Sequence, residues 1–270
     1  MMPRNEIMAP AVPTFACDAA VPTAARRRVS PWLLPCCLAL AGLALGCDDT
    51  DPAWELDNDR IIAVRATPPQ LAAGERAVLD VLVTSPQGGP RVMTPLVAVA
   101  LPDSLDQPVP PQLAGAVELQ GISWTVTAPD AGALGALRAE RKLTEGQPLL
   151  LRVGVRVDPG NGPLDAVKTV RLGQRGANPT LGAVTLGGQP ARDDLVLPAD
   201  TDVALQVDAA EGQEVFWLTS IGELDDADDA QATLRHDRSG DDLLTGHIAV
   251  VVRDAEGGVV WGIWRASIAE

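Results

Sequence analysis

The chain has 270 residues, with 21 Lys plus Arg against 36 Asp plus Glu, a net charge of −15, and 46% hydrophobic residues of which few are aromatic. So acidic a balance repels phosphate backbones and anionic headgroups, which excludes nucleic acid as a partner and leaves a lipid chain as the means of holding a membrane. Tyrosine is absent and histidine is limited to His236 and His247, so little imidazole is available for acid or base catalysis.

The chain opens on a proline-rich stretch, residues 1–25, which exceeds what a signal of normal length needs. Arg26, Arg27 and Arg28 then precede a short apolar run from Trp32 to Leu45 that contains Pro35. A membrane-spanning helix needs roughly 20 apolar residues, so this run is too short to serve as one and reads as a signal segment. Its end, Leu43-Ala44-Leu45-Gly46-Cys47, resembles the lipobox of bacterial lipoproteins. That resemblance implies cleavage before Cys47, a diacylglyceryl group on its sulfur, acylation of its amine, and a place in the bacterial cell envelope. Ala44 and Gly46 also satisfy the small-residue rule of an ordinary signal peptidase, so an unlipidated, secreted chain is the alternative. Cys17, Cys36 and Cys37 precede the cut, and Cys47 is then the sole cysteine of the mature chain. An internal disulfide and a cysteine-based zinc site are thereby excluded. Asp48 after Cys47 resembles the inner-membrane retention signal of enterobacterial lipoproteins, a rule that is not general, and the choice of membrane stays open.

Residues 47–59, rich in aspartate, read as a polar tether that spaces the folded part from the bilayer. Beyond it, strand signals dominate. Ile62, Val64 and Ala66 alternate with Ala63 and Arg65, and Val78, Asp80, Leu82 and Thr84 alternate with Leu79, Val81 and Val83. The arginine-bearing faces of these strands, with Arg65 among them, are expected in solvent, and Leu149 to Val157 and Ala166 to Leu172 form a candidate hairpin around the turn Asp158-Pro159-Gly160-Asn161-Gly162-Pro163. Ala131 to Leu143 is the one helical candidate, weakened by Gly132 and Gly135. These features define a first β-sandwich-like domain over residues 60–172. A turn-rich segment, 173–180, reads as a linker. In the second domain, 181–270, strands are expected over Leu181–Leu186, Asp202–Val207, Glu214–Ser220, Thr233–His236, Gly246–Arg253 and Val259–Ile268. So many short strands in so few residues argue for a sandwich.

Val215-Phe216-Trp217-Leu218 and the run Thr245 to Gly258 resemble bacterial Ig-like and PKD-type β-sandwich repeats, in which a tryptophan packs between the sheets and a late strand ends in a tight turn. The resemblance covers 181–270 and is much weaker over 60–172, where Leu101 to Pro148 departs from it. It implies two tandem Ig-like antiparallel β-sandwiches after a disordered signal and tether segment, serving in spacing, display or binding. Trp217 would then be core, with Phe216 facing the other way.

Ser220, His247 and Asp254 can be assembled on paper into a hydrolase triad, but no Gly-x-Ser-x-Gly elbow surrounds Ser220. His236 and His247 lack the close spacing of a zinc site. Asp225, Asp226, Asp228 and Asp229, with Glu223 before them and Asp237, Asp241 and Asp242 in the next loop, could supply oxygens to calcium, though no EF-hand pattern is present and a solvated acidic face explains them equally. Trp261 and Trp264 fall on opposite faces of the last strand, one in the core and the other exposed as a binding contact or bordering the first domain. The sequence thus points to a lipid-anchored envelope protein without catalytic residues or a required cofactor, acting as a binding, spacing or assembly module with an envelope protein partner. A calcium-dependent adhesin and a periplasmic hydrolase are the alternatives.

Overall fold

The structure is a computed structural model that describes residues 52–86, 89–104, 106–199, 201–236 and 245–269. Residues 1–51, which include the signal segment and Cys47, and Asp237, Asp241 and Asp242 lie outside the described residues, as does the expected disorder of the N-terminal segment.

The first half builds strands β1 (Arg60–Thr67), β2 (Gln70–Leu71), β3 (Arg76–Thr84), β4 (Arg91–Met93), β5 (Val97–Leu101), β6 (Val117–Gln120), β7 (Ser123–Thr127), β8 (Leu149–Val157) and β9 (Leu164–Leu172). One helix, α1 (Ala131–Glu140), lies between β7 and β8. The second half adds β10 (Val184–Leu186), β11 (Gln189–Pro190), β12 (Leu195–Leu197), β13 (Val203–Val207), β14 (Glu214–Thr219), β15 (Glu223–Asp225), β16 (Gln231–Arg235), β17 (Thr245–Arg253) and β18 (Val259–Ile268). The protein is therefore all-β, as the alternation predicts, and its pairing is antiparallel except for β2 with β9 and β12 with β18.

These strands form four sheets: β2-β9-β8-β5, then β1-β3-β7-β6 with β4 on β3, then β12-β18-β17-β14, then β11-β10-β13-β16-β15. Three apolar layers separate them. Val64, Leu79, Val81, Leu151, Val153 and Val170 fill the first sandwich, between sheets one and two. Trp217, Leu205, Leu234, Ile248 and Val250 fill the second, between sheets three and four. The third layer joins the sandwiches: Ala63 and Leu82 of sheet two meet Leu218, Ala249, Val251 and Val259 of sheet three, with Leu56 between them. The sheets thus stack face to face in four layers. Strand β17 is the consequence in sequence, since Ile248 to Val252 are buried without interruption because both faces of the strand are covered.

Several local expectations hold for the stated reasons. β8 and β9 pair residue for residue from Leu149↔Leu172 to Val157↔Leu164 around the glycine-rich turn. Helix α1 starts where Asp130 caps it, its Oδ1 accepting from the Ala133 amide at 2.8 Å, and it buries Leu134 and Leu137. Trp217 is 1% exposed in the second core, and the neighbouring Phe216 packs on the opposite face, in the layer between the sandwiches.

Three expectations are corrected. The segment 47–59 is a tether at most as far as residue 51, because Leu56 is 0% exposed, Glu55 bridges Thr219, and the Leu56 amide donates to the Thr219 carbonyl at 2.8 Å. One apolar residue among the aspartates is enough to plug the gap between two sheets. The linker 173–180 is pinned: the Asn178 side chain donates to the Ala66 carbonyl at 2.9 Å and accepts from the Val259 amide at 2.8 Å, and Arg175 pairs with Glu75. Arg65 does not stand in solvent. It alternates with Val64 and Ala66 of the first core, and the face it shares with Ala63 lies against the second sandwich. The span Leu101 to Pro148, which departs from the Ig-like pattern in sequence, supplies β6, β7 and α1, and β7 completes sheet two by pairing with β3.

Candidate functional site

The described residues place the most unusual polar chemistry in the seam between the sandwiches. On one side Arg65 holds Asp80 through two bonds, at 3.1 and 2.7 Å, and its guanidinium carbon sits 3.9 Å from the Trp261 ring centroid. Arg253 stacks over Phe216 at 5.0 Å and donates to the Ile62 carbonyl at 3.0 Å. Each arginine joins an apolar ring of one sandwich to a polar group of the other, a geometry that suits a planar cation.

Lys168 is the third member. It stands on β9 between Ala166 and Val170, on the face that period two assigns to the first core, and is 7% exposed. Its stem is buried while Nζ donates to the Gly257 carbonyl in the β17–β18 turn. Burial removes water from the ammonium, and the nearby Arg253 adds like-charge repulsion that Asp254 only partly offsets, so the Lys168 pKa is lowered to about 8. Ile62, Lys168, Glu214, Arg253, Asp254 and Gly258 border a cleft of about 370 Å³ at this point. A lowered lysine pKa beside a cleft is the usual mark of a functional group. Here Nζ is engaged by a carbonyl and serves as a bridge. The sequence did contain the signal: a lysine within the alternation Ala166, Lys168, Val170, Leu172 breaks an apolar face.

The paper triad is not assembled. The His247 amide, not its imidazole, donates to Ser220 Oγ at 2.9 Å, and the imidazole lies against Gly89, where a Cβ would come within 2.7 Å of Cε1. Gly89 has φ +59, so both its conformation and this contact call for glycine. Desolvation, then the charge of Arg265, lowers the His247 pKa and favours the neutral ring. Asp254 follows the opposite end of β17, seven residues away and so about 23 Å along the strand. His236 is buried at the end of β16.

Of the aspartates suggested for calcium, Asp225 forms an ion pair with Arg235 on the neighbouring strand. Asp226 takes a left-handed conformation, φ 55, and the Asp229 carbonyl accepts from Trp217 Nε1 at 3.1 Å. That loop is held by its backbone along the flank of β14, with the Asp226, Asp228 and Asp229 residues exposed. Among the described residues no group of three or more His, Cys, Asp or Glu is placed to hold a metal ion. Trp264 packs on the second core and Trp261 in the seam, so the pair divides between the two faces of β18 and Trp261 borders the first sandwich.

No protein-family model matches the chain, and no curated protein matches it. Among solved structures it is similar to a chimeric titin Z1Z2-Z1Z2 tandem, with 14% identity over 79% of this chain and 100% of that chain and a TM-score of 0.27. It is also similar to murine CEACAM1b, with 12% identity over 78% and 100% and a TM-score of 0.27. A third is the N-terminal Ig1-2 module of the Drosophila receptor protein tyrosine phosphatase DLAR, with 13% identity over 78% and 99% and a TM-score of 0.28. With superpositions this loose, the Ig-like β-sandwich assignment rests on the sheets and cores described above. No helix among the described residues is long and apolar enough to cross a membrane.

Proposed function

We propose that the protein is a lipid-anchored component of the bacterial cell envelope, held by Cys47, that works as a non-enzymatic binding, spacing or assembly module. The observation that carries this reading is the seam. Two β-sandwiches are locked into one body by Leu56, an apolar layer and four cations, Arg65, Lys168, Arg171 and Arg253, that bridge to the opposite sandwich, while Ser220 and His247 meet through a backbone amide. Such a seam conserves relative orientation, which serves a part that must present its surfaces at a fixed angle to a partner, and Lys168 and Arg253 of the cleft are engaged in building it. The lipobox-like residues supply the location and the acidic balance supplies solubility beside a membrane.

The test is the mass of the N-terminal peptide of the protein recovered from membranes of a bacterium that processes lipoproteins, alongside a Cys47→Ser variant. A diacylglyceryl-modified Cys47, with the variant lost from the membrane fraction, is the expected result. An unmodified Cys47 in membrane-bound protein would overturn it.

A further inference from the structure

An open sheet ends in edge strands, whose outward N–H and C=O groups are a template for another chain unless something blunts them. Among the described residues most edges are blunted. Sheet four ends in β11 and β15, of two and three residues, with Pro190 in the first and Glu223 and Asp225 in the second. In sheet three, β12 has three residues, and β14 is covered where the Leu56 amide donates to the Thr219 carbonyl and the Thr219 amide to the Trp54 carbonyl. In sheet two, β6 carries Glu118, β4 carries Arg91, and β1 offers its Ile62 and Ala66 carbonyls to Arg253 and Asn178. In sheet one, β2 takes one end of β9, and the rest of β9 carries Asp165 and Lys168.

β5 is different. Val97-Ala98-Val99-Ala100-Leu101 has five residues, no charge and no proline, and among the described residues it pairs on one side only, with β8. Its ends are held: Trp124 Nε1 donates to the Pro95 carbonyl at 2.9 Å, and Arg152 Nη1 donates to the Pro102 and Asp103 carbonyls at 3.3 and 3.2 Å. The edge is thus presented as a fixed strand, and little ordering remains to be lost when a partner strand adds to it. β6, the neighbouring edge of sheet two, lies beside it, and Leu96, Val97, Val99, Leu119 and Ile122 on this flank are all exposed.

We propose that β5 pairs antiparallel with β5 of a second copy of this chain, joining the two copies of sheet one across a two-fold axis at Val99. The strand is self-complementary. Val99 meets Val99, Val97 meets Leu101 and Ala98 meets Ala100, so the large residues of the outer face find one another and the pleat stays in phase. Charge selects the partner. Residues 60–172 have eleven basic against ten acidic residues, whereas beyond residue 172 there are six against eighteen, so two copies meet with least repulsion through the first sandwich. A strongly charged partner finds no counter-charge on β5, while another β5 is the uncharged strand that this edge fits. Pro95 and Pro102 bound the shared ladder, and each copy has one such edge among its described residues, so the pairing closes at two copies. The inference stands whether or not Cys47 carries lipid, and it gives the assembly reading its partner.

The experiment uses the full chain as a bacterium processes it. Residues directly opposite in an antiparallel pair are close enough for a disulfide, so Val99→Cys oxidised with copper phenanthroline should give a dimer whose cross-linked peptide joins position 99 to position 99. Val167→Cys is the comparison, because Val167 is exposed on the same face but two strands from the edge, and several-fold less cross-linking is expected there. A second measurement needs no cysteine. Amide exchange over residues 96–102 should be slower in concentrated than in dilute protein; Val99→Lys, which sets like charges opposite each other, should remove that dependence, and Val167→Lys should keep it. Exchange that does not change with concentration, or absence of the 99–99 peptide, would overturn the pairing. Equal cross-linking at 99 and 167 would overturn it too, since copies would then meet face to face instead of edge to edge.

Discussion

At the level of single residues, the seam is built from groups whose ordinary preference is water. Lys168 shows the balance most clearly. Its ordinary pKa is 10.5 and its folded value about 8. Below pH 8 it is charged both folded and unfolded, and the buried ammonium costs stability throughout. Between those values the unfolded chain binds more protons than the folded one, so stability contributed through this group rises with pH. The rise is bounded at about 3 kcal/mol, and a Lys168→Met variant, which keeps the stem and has no proton to lose, lacks it. Urea midpoints of the two proteins measured on either side of that window should diverge in favour of the lysine form as pH rises; parallel curves would show that Nζ is not desolvated. Arg65 and Trp261 make a second test. Their 3.9 Å stacking bridges the sandwiches, so a double-mutant cycle with Arg65→Ala and Trp261→Ala should give a coupling energy of about 1 kcal/mol, since both partners are partly shielded from solvent. Neither role follows from composition: the sequence places Arg65 on the polar face of a strand and cannot say that another sheet covers that face.

At the level of elements, local chemistry was a sound guide wherever the element is self-contained. The β8–β9 hairpin has its alternation and its turn residues in one stretch of chain, and it forms with the expected partners. Helix α1 has its cap in Asp130 and apolar residues at Leu134 and Leu137, so it forms despite two glycines. Asp130→Ala should therefore cost about 1 kcal/mol, because Oδ1 accepts from the Ala133 amide and nothing else would. Gly135→Ala should stabilise by about 0.5–1 kcal/mol, since its surroundings leave open space for a methyl group and its conformation is helical. Thermal unfolding of the two variants should move in opposite directions. The short strands β11, β12 and β15, of two or three residues each, were not legible, because pairs that small are held by neighbours and leave no period in the sequence.

At the level of the whole molecule, the apolar layer between the sandwiches makes them one unit instead of two beads on a string. A single calorimetric transition is expected, with equal van't Hoff and calorimetric enthalpies; two resolved transitions would mean that the seam couples nothing. Leu56→Ala, which empties the centre of that layer, should cost about 2–5 kcal/mol and begin to separate the transitions. The sequence alone determined the all-β architecture, the burial of Trp217 and the helix after Asp130, because period, caps and turns are properties of neighbouring residues. Only the tertiary structure decided that Leu56, in an aspartate-rich segment, is fully buried between two sheets, that Arg65, Lys168 and Arg253 bind one sandwich to the other, and that Ser220 meets the backbone of His247. Those outcomes depend on which sheet faces end up opposite one another, and that pairing is set by the stacking of residues far apart in the chain, where no local pattern records it.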